Sequence, residues 1–539
     1  MESRLMKRLL VPLALALSLI IGCQQEPTGE HKKVKPEPRN GGVYHAALPW
    51  SPRTLDPAYS TDIYSITLIE QIFDGLVQFD RELNVVPALA TSWKVSPDGL
   101  VYTFNLRSDA RFHNGRQVTA NDFVYSFTRI LDPKEESSAL GFFERVEGAS
   151  AYRKGESDKV AGLRALDAHT LEITIDEPFA AFLSVLAMFN SKVVAREEVE
   201  RWGKDFGRHP MGTGPFSLTS WEGNQIVLTA YPRYYEGRPY LDRVVYTIYA
   251  GAQHQRILHD FLEGRLEEAA VFGADRQEMA QTHVYQFVRK PSLSLQFYGM
   301  NCASPPLRDR RVRQALNWAI DKDKIIREVF KDQFIPAQTI LPPGMTGYTP
   351  ENASYGYDPE MSRALLAEAG YGPSQKKLSL ILLSPSKSNV AQRELAMVAA
   401  DLADVGVELQ IQYETDWPTF EAALKSRGLQ MYRYFWSADI PDPDNFLNVL
   451  CGSKSVYNFM RYSNPRVDSL LSQALVETNI IKRVRLYRQA ERMILEDAPM
   501  IPFNYWVFEA VFQPYVKGLE VSSLGQPYIP LKKIWLDRQ

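Results

Sequence analysis

The sequence predicts a mixed α/β protein built from at least two lobes. Three observations carry that expectation. The chain has 539 residues, well beyond the roughly 250 at which a single core stops growing. Hydrophobic residues make up 45% and charged residues 23%, the balance of a globular body. Period-two apolar segments dominate the first half, whereas helical periodicity dominates the second.

The first element is an export segment. Arg4, Lys7 and Arg8 precede an apolar run from Leu9 to Gly22, which ends at Cys23. A basic start, a short apolar stretch and a small residue before the cut describe a secretory signal. The run falls short of the roughly 20 residues of a comfortable bilayer crossing. It resembles a bacterial lipoprotein signal, in which Cys23 is lipidated and becomes the first residue of the mature chain. Residues 24–40 are polar and punctuated by Pro27, Pro36 and Pro38, so they read as a flexible tether. The resemblance to bacterial lipoproteins implies more than one acyl chain on Cys23 and so a lasting anchor, since a single chain holds only weakly.

The folded body begins near Gly41-Gly42-Val43-Tyr44. Val101 to Leu106 alternates, with Tyr102, Phe104 and Leu106 on one face of a half-buried strand. Asp98-Gly99 and Asn114-Gly115 mark turns on either side. Thr119 to Asp122 resembles a capping box for a helix running through Phe123 to Ile130. Ile226 to Ala230 and Val244 to Tyr249 read as further strands. After Asn301 the texture changes. Val312, Ala315, Leu316, Ala319 and Ile320 share one helix face. Asp321 can cap a helix over Lys322 to Phe330. Asp358-Pro359 opens another helix, with Gly370 past its end. Gln392 to Val405 is helical. Leu429 to Trp436 is a strand with Gln430, Tyr432, Tyr434 and Trp436 on one face.

Several function classes are excluded. A net charge of -3 offers no basic footprint for nucleic acid. Beyond Cys23 only Cys302 and Cys451 remain, and a disulfide or two free thiols are both open. No CxxC pair, HExxH motif or Gly-x-Ser-x-Gly elbow occurs, and the eight histidines are scattered. Asp439, Asp442 and Asp444 could mimic glycosidase carboxylates, but nothing in the sequence gives one of them a raised pKa. Catalytic residues, metal and cofactor are therefore not expected.

Four blocks carry a family resemblance. The first joins Pro87-Ala88-Leu89-Ala90-Thr91-Ser92-Trp93, Asp98 to Arg107, Phe112-His113-Asn114-Gly115 and Thr119 to Ser126. The others are Gly212-Thr213-Gly214-Pro215-Phe216, Arg311 to Leu316, and Trp436-Ser437-Ala438-Asp439-Ile440-Pro441-Asp442-Pro443. In this order they resemble the extracytoplasmic solute-binding proteins of family 5, the oligopeptide- and dipeptide-binding proteins of ABC importers. The resemblance implies a two-lobed periplasmic-binding-protein-like fold with an inserted subdomain and two hinge crossovers. Lobe I would comprise residues 41–291 and 503–539, with the insertion at about 65–208. Lobe II would comprise residues 292–502. The crossovers would be Leu293 to Met300 and Pro499 to Tyr505. Hinge closure would trap the solute.

The implied function is capture of peptides outside the cytoplasm by a monomeric, lipid-anchored protein that hands them to a membrane permease. Nickel chelates, haem and oligosaccharides are the alternative solutes on the same fold, and a secreted hydrolase is a remote one. A receptor for varied peptides must recognise backbone and charged ends. By resemblance Asp439 meets the α-amine and Arg393 receives the carboxylate of a short peptide; Trp436 and Tyr434 share a strand face that can form an apolar wall, and of the two only Trp436 lies in the family motif. Leu55-Asp56-Pro57 and Tyr298-Gly299-Met300-Asn301 match blocks near the cleft and hinge, which brings Asp56 and Asn301 into the candidate set. Cys302, directly after Asn301, departs from that pattern. From residue type alone, Asp439 is a turn carboxylate, Tyr434 and Trp436 are core, Arg393 is a solvated helix residue, and Asp442 and Asp444 cap a loop.

Overall fold

A computed structural model describes residues 37–538, apart from 135–136, 252, 373 and 427. Cys23, the export segment and most of the tether lie outside the described residues. The body is mixed α/β, as expected. In the first half, a four-stranded sheet runs in the spatial order Val43–Leu48, Arg243–Ile248, Gln225–Ala230, Phe216–Glu222. A second four-stranded sheet, Ala90–Val95, Val101–Leu106, Thr170–Thr174, Leu163–Asp167, is antiparallel throughout. Tyr102, Phe104 and Leu106 face inward from it. There they meet Phe123, Phe127 and Ile130 of the Ala120–Ile130 helix in one core. That helix starts where the sequence places it, since Asp122 Oδ2 accepts the Thr119 N–H at 2.8 Å.

The later half is organised on a six-stranded sheet. Its order is Ile335–Pro336, Met500–Tyr505, Ser294–Met300, Met431–Ser437, Leu378–Ser384, Val407–Tyr413. Ser294–Met300 and Met500–Tyr505 are adjacent antiparallel strands, and every residue in both is buried. Helices and loops cover both faces, so neither strand alternates in polarity. Pro502 sits where the register shifts between Gln296 and Phe297, a position that needs no ladder donor. The strand Glu268–Ala270, the strand Val507–Phe512 and the strand Gln286–Pro291 form a separate three-stranded sheet. The chain thus returns from the six-stranded sheet into the company of earlier residues.

Local signals place the later helices. Asp321 and Asp358 cap the Lys322–Phe330 and Pro359–Glu368 helices by accepting the N–H groups of Lys324 and Met361. Gly370 follows in the left-handed region with φ +88°. Two boundaries differ from the periodicity. The Asn389–Asp404 helix begins before Gln392, because Ser388 Oγ caps the Ala391 N–H at 3.2 Å. The Met431–Ser437 strand begins after Leu429, because Asn301 takes the carbonyls of Leu429 and Gln430 instead.

The Gly-Thr-Gly-Pro-Phe block has a packing reason. Gly214 N–H donates to Ile72 O at 2.8 Å, and a Cβ at Gly212 would lie 2.0 Å from that same oxygen. The block therefore closes the end of the Ile63–Ile72 helix as no larger residue could. Cys302 and Cys451 are both free thiols. Burial pushes the Cys302 thiol up to about 11, which makes it a poor nucleophile.

Candidate functional site

The Met431–Ser437 strand delivers Trp436 to the start of a loop, and the Asp444–Cys451 helix receives the chain again. Asn445, in the first turn of that helix, organises the loop between. Its backbone carbonyl accepts the Trp436 indole N–H at 2.7 Å. Its side-chain Oδ1 accepts the Asp439 N–H at 2.9 Å, and its Nδ2 donates to Asp439 Oδ2 at 3.2 Å. One asparagine thereby fixes both the indole and the carboxylate that the sequence singles out.

The loop is bolted to the protein from below. Arg483 forks onto Asp442 with contacts of 2.7 and 2.8 Å, and both side chains are buried. Such a bidentate pair holds geometry as well as charge. Asp442 Oδ1 also accepts the Asp444 N–H at 2.9 Å, the loop-capping role expected of it. Asp444 itself is buried beside that charge. Burial first, then Asp442, raises its carboxyl to about 6, against the pull of Arg483 and Arg145. A carboxyl raised in the fold stabilises fully below its unfolded pKa of about 3.9, and that contribution is lost as pH rises through about 6. Asp444→Asn removes this term. The variant is expected to gain about 2–3 kcal/mol on the wild type between pH 4 and pH 7, at 1.36 kcal/mol per unit. Denaturant unfolding at the two pH values checks it, and a difference constant with pH contradicts it.

Asp439 is solvent-exposed, yet burial by surrounding protein raises its carboxyl, with the Asn445 hydrogen bond working in the opposite sense. The two facts agree if water reaches the carboxylate only within a recess, where neighbouring atoms thin the solvent without sealing it. No ion pair forms at Asp439 among the described residues. Tyr528, from the C-terminal segment, is near enough for Asp439 to help raise its phenol, after burial and Glu70. Residues from the two ends of the chain thus share one electrostatic environment.

An aromatic surface adjoins the carboxylate. Trp436 is half-buried, and its ring centroid lies 5.4 Å from that of Tyr457, which is exposed. Tyr434 lies deeper. Its ring packs against Phe297 at 5.8 Å and Phe459 at 6.0 Å, with Trp417 at 6.2 Å.

The remaining candidates fall elsewhere. Arg393 is exposed on the second turn of the Asn389–Asp404 helix and makes no ion pair among the described residues. Its neighbour Glu394 is fully buried. Asp56 is buried in a bidentate pair with Arg129 at 2.7 and 3.2 Å, and it accepts the Ala58 N–H. Asn301 is buried, and its Nδ2 donates to Leu429 O at 2.7 Å. The structure therefore gathers Trp436 and Asp439 around Asn445, packs Tyr434 in the aromatic core that Trp436 adjoins, leaves Arg393 exposed, and engages Asp56 and Asn301 in buried contacts of their own. Sequence reasoning missed Asn445 and Tyr528. Asn445 follows the Asp-Pro-Asp turn, so an amide able to reach back over the loop was the available signal. Tyr528 had none.

Residues 84–458 match the family described as bacterial extracellular solute-binding proteins, family 5. Heme-binding protein A of Haemophilus influenzae is 31% identical over 95% of this chain and 96% of its own length. The murein tripeptide-binding protein MppA, in its unliganded open form, superposes with a TM-score of 0.81 at 28% identity, covering 92% of this chain and 97% of that one. The periplasmic binding protein DppA of Helicobacter pylori, in complex with the peptide STSA, gives 0.72 at 26% identity, covering 93% and 99%.

Proposed function

Because the chain belongs to family 5 of the bacterial extracellular solute-binding proteins, we propose that it is the peptide receptor of an ABC-type importer. It captures a short peptide between two lobes and delivers it to a permease. Asp439 receives the α-amine, Trp436 lines the wall beside it, and Arg393 is the candidate for the far carboxylate. The lobes are taken as residues 41–291 with 503–539, carrying an insertion at 65–208, and residues 292–502. Ser294–Met300 and Met500–Tyr505 serve as the hinge.

One observation carries this reading. The Asp439 carboxylate is fixed by Asn445, open to solvent and unpaired with any cation among the described residues. A fixed, solvent-reached carboxylate without a counter-charge is suited to an incoming ammonium. Native mass spectrometry of the protein purified from its own cells tests the reading. A co-purified mass matching peptides is expected.

Haem capture is the second reading, favoured by the haem-binding relative at 31% identity. A Soret band in the purified protein, with no peptide mass, would replace the first reading with this one.

The receptor is further proposed to be a monomer held at the membrane by lipid on Cys23. Cys23→Ala is expected to abolish incorporation of labelled fatty acid and to move the protein from the membrane to the soluble fraction. A variant that stays labelled and membrane-bound would contradict this.

A further inference from the structure

A small recess lies at the end of the Ile63–Ile72 helix, and none of the roles assigned above uses it. Its volume is about 60 Å³, room for a few waters or one compact charged group. Glu70, Asp74, Lys192, Lys532 and Tyr528 line it.

Its charges do not balance. Lys192 Nζ sits 3.0 Å from Glu70 Oε2, and Lys532 Nζ sits 2.8 Å from Glu236 Oε2. Both ammonium groups are thereby matched, and Asp74 and Asp80 are left over, of which Asp80 already accepts from Asn84. Asp74 is 6% exposed, and its Oδ2 has no hydrogen-bond partner. Glu70 Oε1 is likewise buried and unpartnered. Two orphaned carboxylate oxygens on one small cavity are costly, and they want a donor. Burial lifts the Asp74 carboxyl to about 6, although Lys532 and Lys192 pull it down and Glu236 and Glu70 push it up. The recess also borders the site already described, for Tyr528 lines it and feels Asp439 as well as Glu70.

We propose that this recess receives a second ammonium group of the bound solute, carried on a side chain, while Asp439 receives the α-amine. An ammonium offers three donors to the two unpartnered oxygens, Asp74 Oδ2 and Glu70 Oε1, and is compact enough for the space. It also offsets part of the negative excess that Glu70, Asp74, Asp80 and Glu236 hold over Lys192 and Lys532. The preferred ligand is therefore a short peptide bearing a primary amine on a side chain, of the lysine or ornithine kind.

This inference rests on the peptide-receptor reading, and its test separates the two. Calorimetry on the intact protein compares Lys-Ala-Ala and Ala-Lys-Ala with the same peptides carrying norleucine, which keeps the chain and removes the charge. At least one lysine peptide is expected to bind the wild type tenfold or more tightly than its norleucine partner. Asp74→Asn is expected to narrow that ratio to about twofold, and Glu70→Gln provides the same test should the first variant fold poorly. Four peptides that bind with no lysine preference overturn the recess and leave the receptor standing. A preference that survives both variants also overturns it. If none of the four binds, the peptide reading falls and takes the recess with it.

Discussion

Replacing Asp439 with alanine is expected to weaken peptide binding by about 30- to 150-fold and to leave the fold intact. The site dictates both halves of that result. In the closed complex the α-ammonium is desolvated against this carboxylate, and removing one partner of such a pair costs 2–5 kcal/mol. Asp439 is reached by water in the present conformation, so the lower part of that range applies, about 2–3 kcal/mol. At about 1.4 kcal/mol per decade this gives the stated loss. The fold survives because Asp439 supports only its own loop. Asn445 loses one acceptor but keeps the Trp436 indole on its carbonyl, and the Arg483–Asp442 fork still anchors the turn. Acetylating the peptide's amino end is expected to produce a comparable loss from the other partner. Calorimetry measures both. Unchanged affinity in the variant would remove Asp439 from the site, and unchanged affinity for the capped peptide would remove the amine from the recognition.

The largest stability effect is expected at Glu394. This carboxylate is fully buried beneath the six-stranded sheet, where it accepts from Gln296 at 2.7 Å, Tyr298 at 2.6 Å and Arg433 at 3.0 and 2.9 Å. Glu394→Ala leaves the largely buried Arg433 guanidinium without its counter-charge and deprives Gln296 and Tyr298 of their acceptor. Breaking a buried pair in this way costs about 3–5 kcal/mol. Glu394→Gln keeps the shape and part of the hydrogen bonding, so it is expected to fall between alanine and wild type. The fall in denaturant midpoint reads the effect, and alanine melting like the wild type would contradict it. Gln296 and Tyr298 belong to the proposed hinge strand, so the network also stiffens the strand about which closure would turn.

Much of the fold was legible because its signals are local. Thr119 with Asp122, Asp321, Asp358-Pro359 and Gly370 each act within one helical turn, and the structure puts caps and stops at those positions. Strand alternation at Val101 to Leu106 reports burial on one face, which neighbouring residues alone can encode. The boundaries that moved did so for contacts just outside the periodic run. Ser388 capped a helix start, and Asn301 took two carbonyls from a strand end.

The candidate site was legible only in part. The order of the sequence blocks pointed to Asp439 and Trp436, which Asn445 then brings together. Nothing in sequence spacing could join Asp56 to Arg129, Glu394 to Arg433, or Tyr528 to Asp439. Those partners are far apart in the chain, and their meeting depends on how whole sheets and segments return on one another.

By itself the sequence determined the class of body, the positions of most caps and strands, and the family. Each is written in neighbouring residues or in a fixed order of short blocks. Tertiary structure alone decided which carboxylates are neutralised by arginines and which remain open. Charge pairing acts over a few ångströms of space, and the chain's return to its own beginning sets that distance.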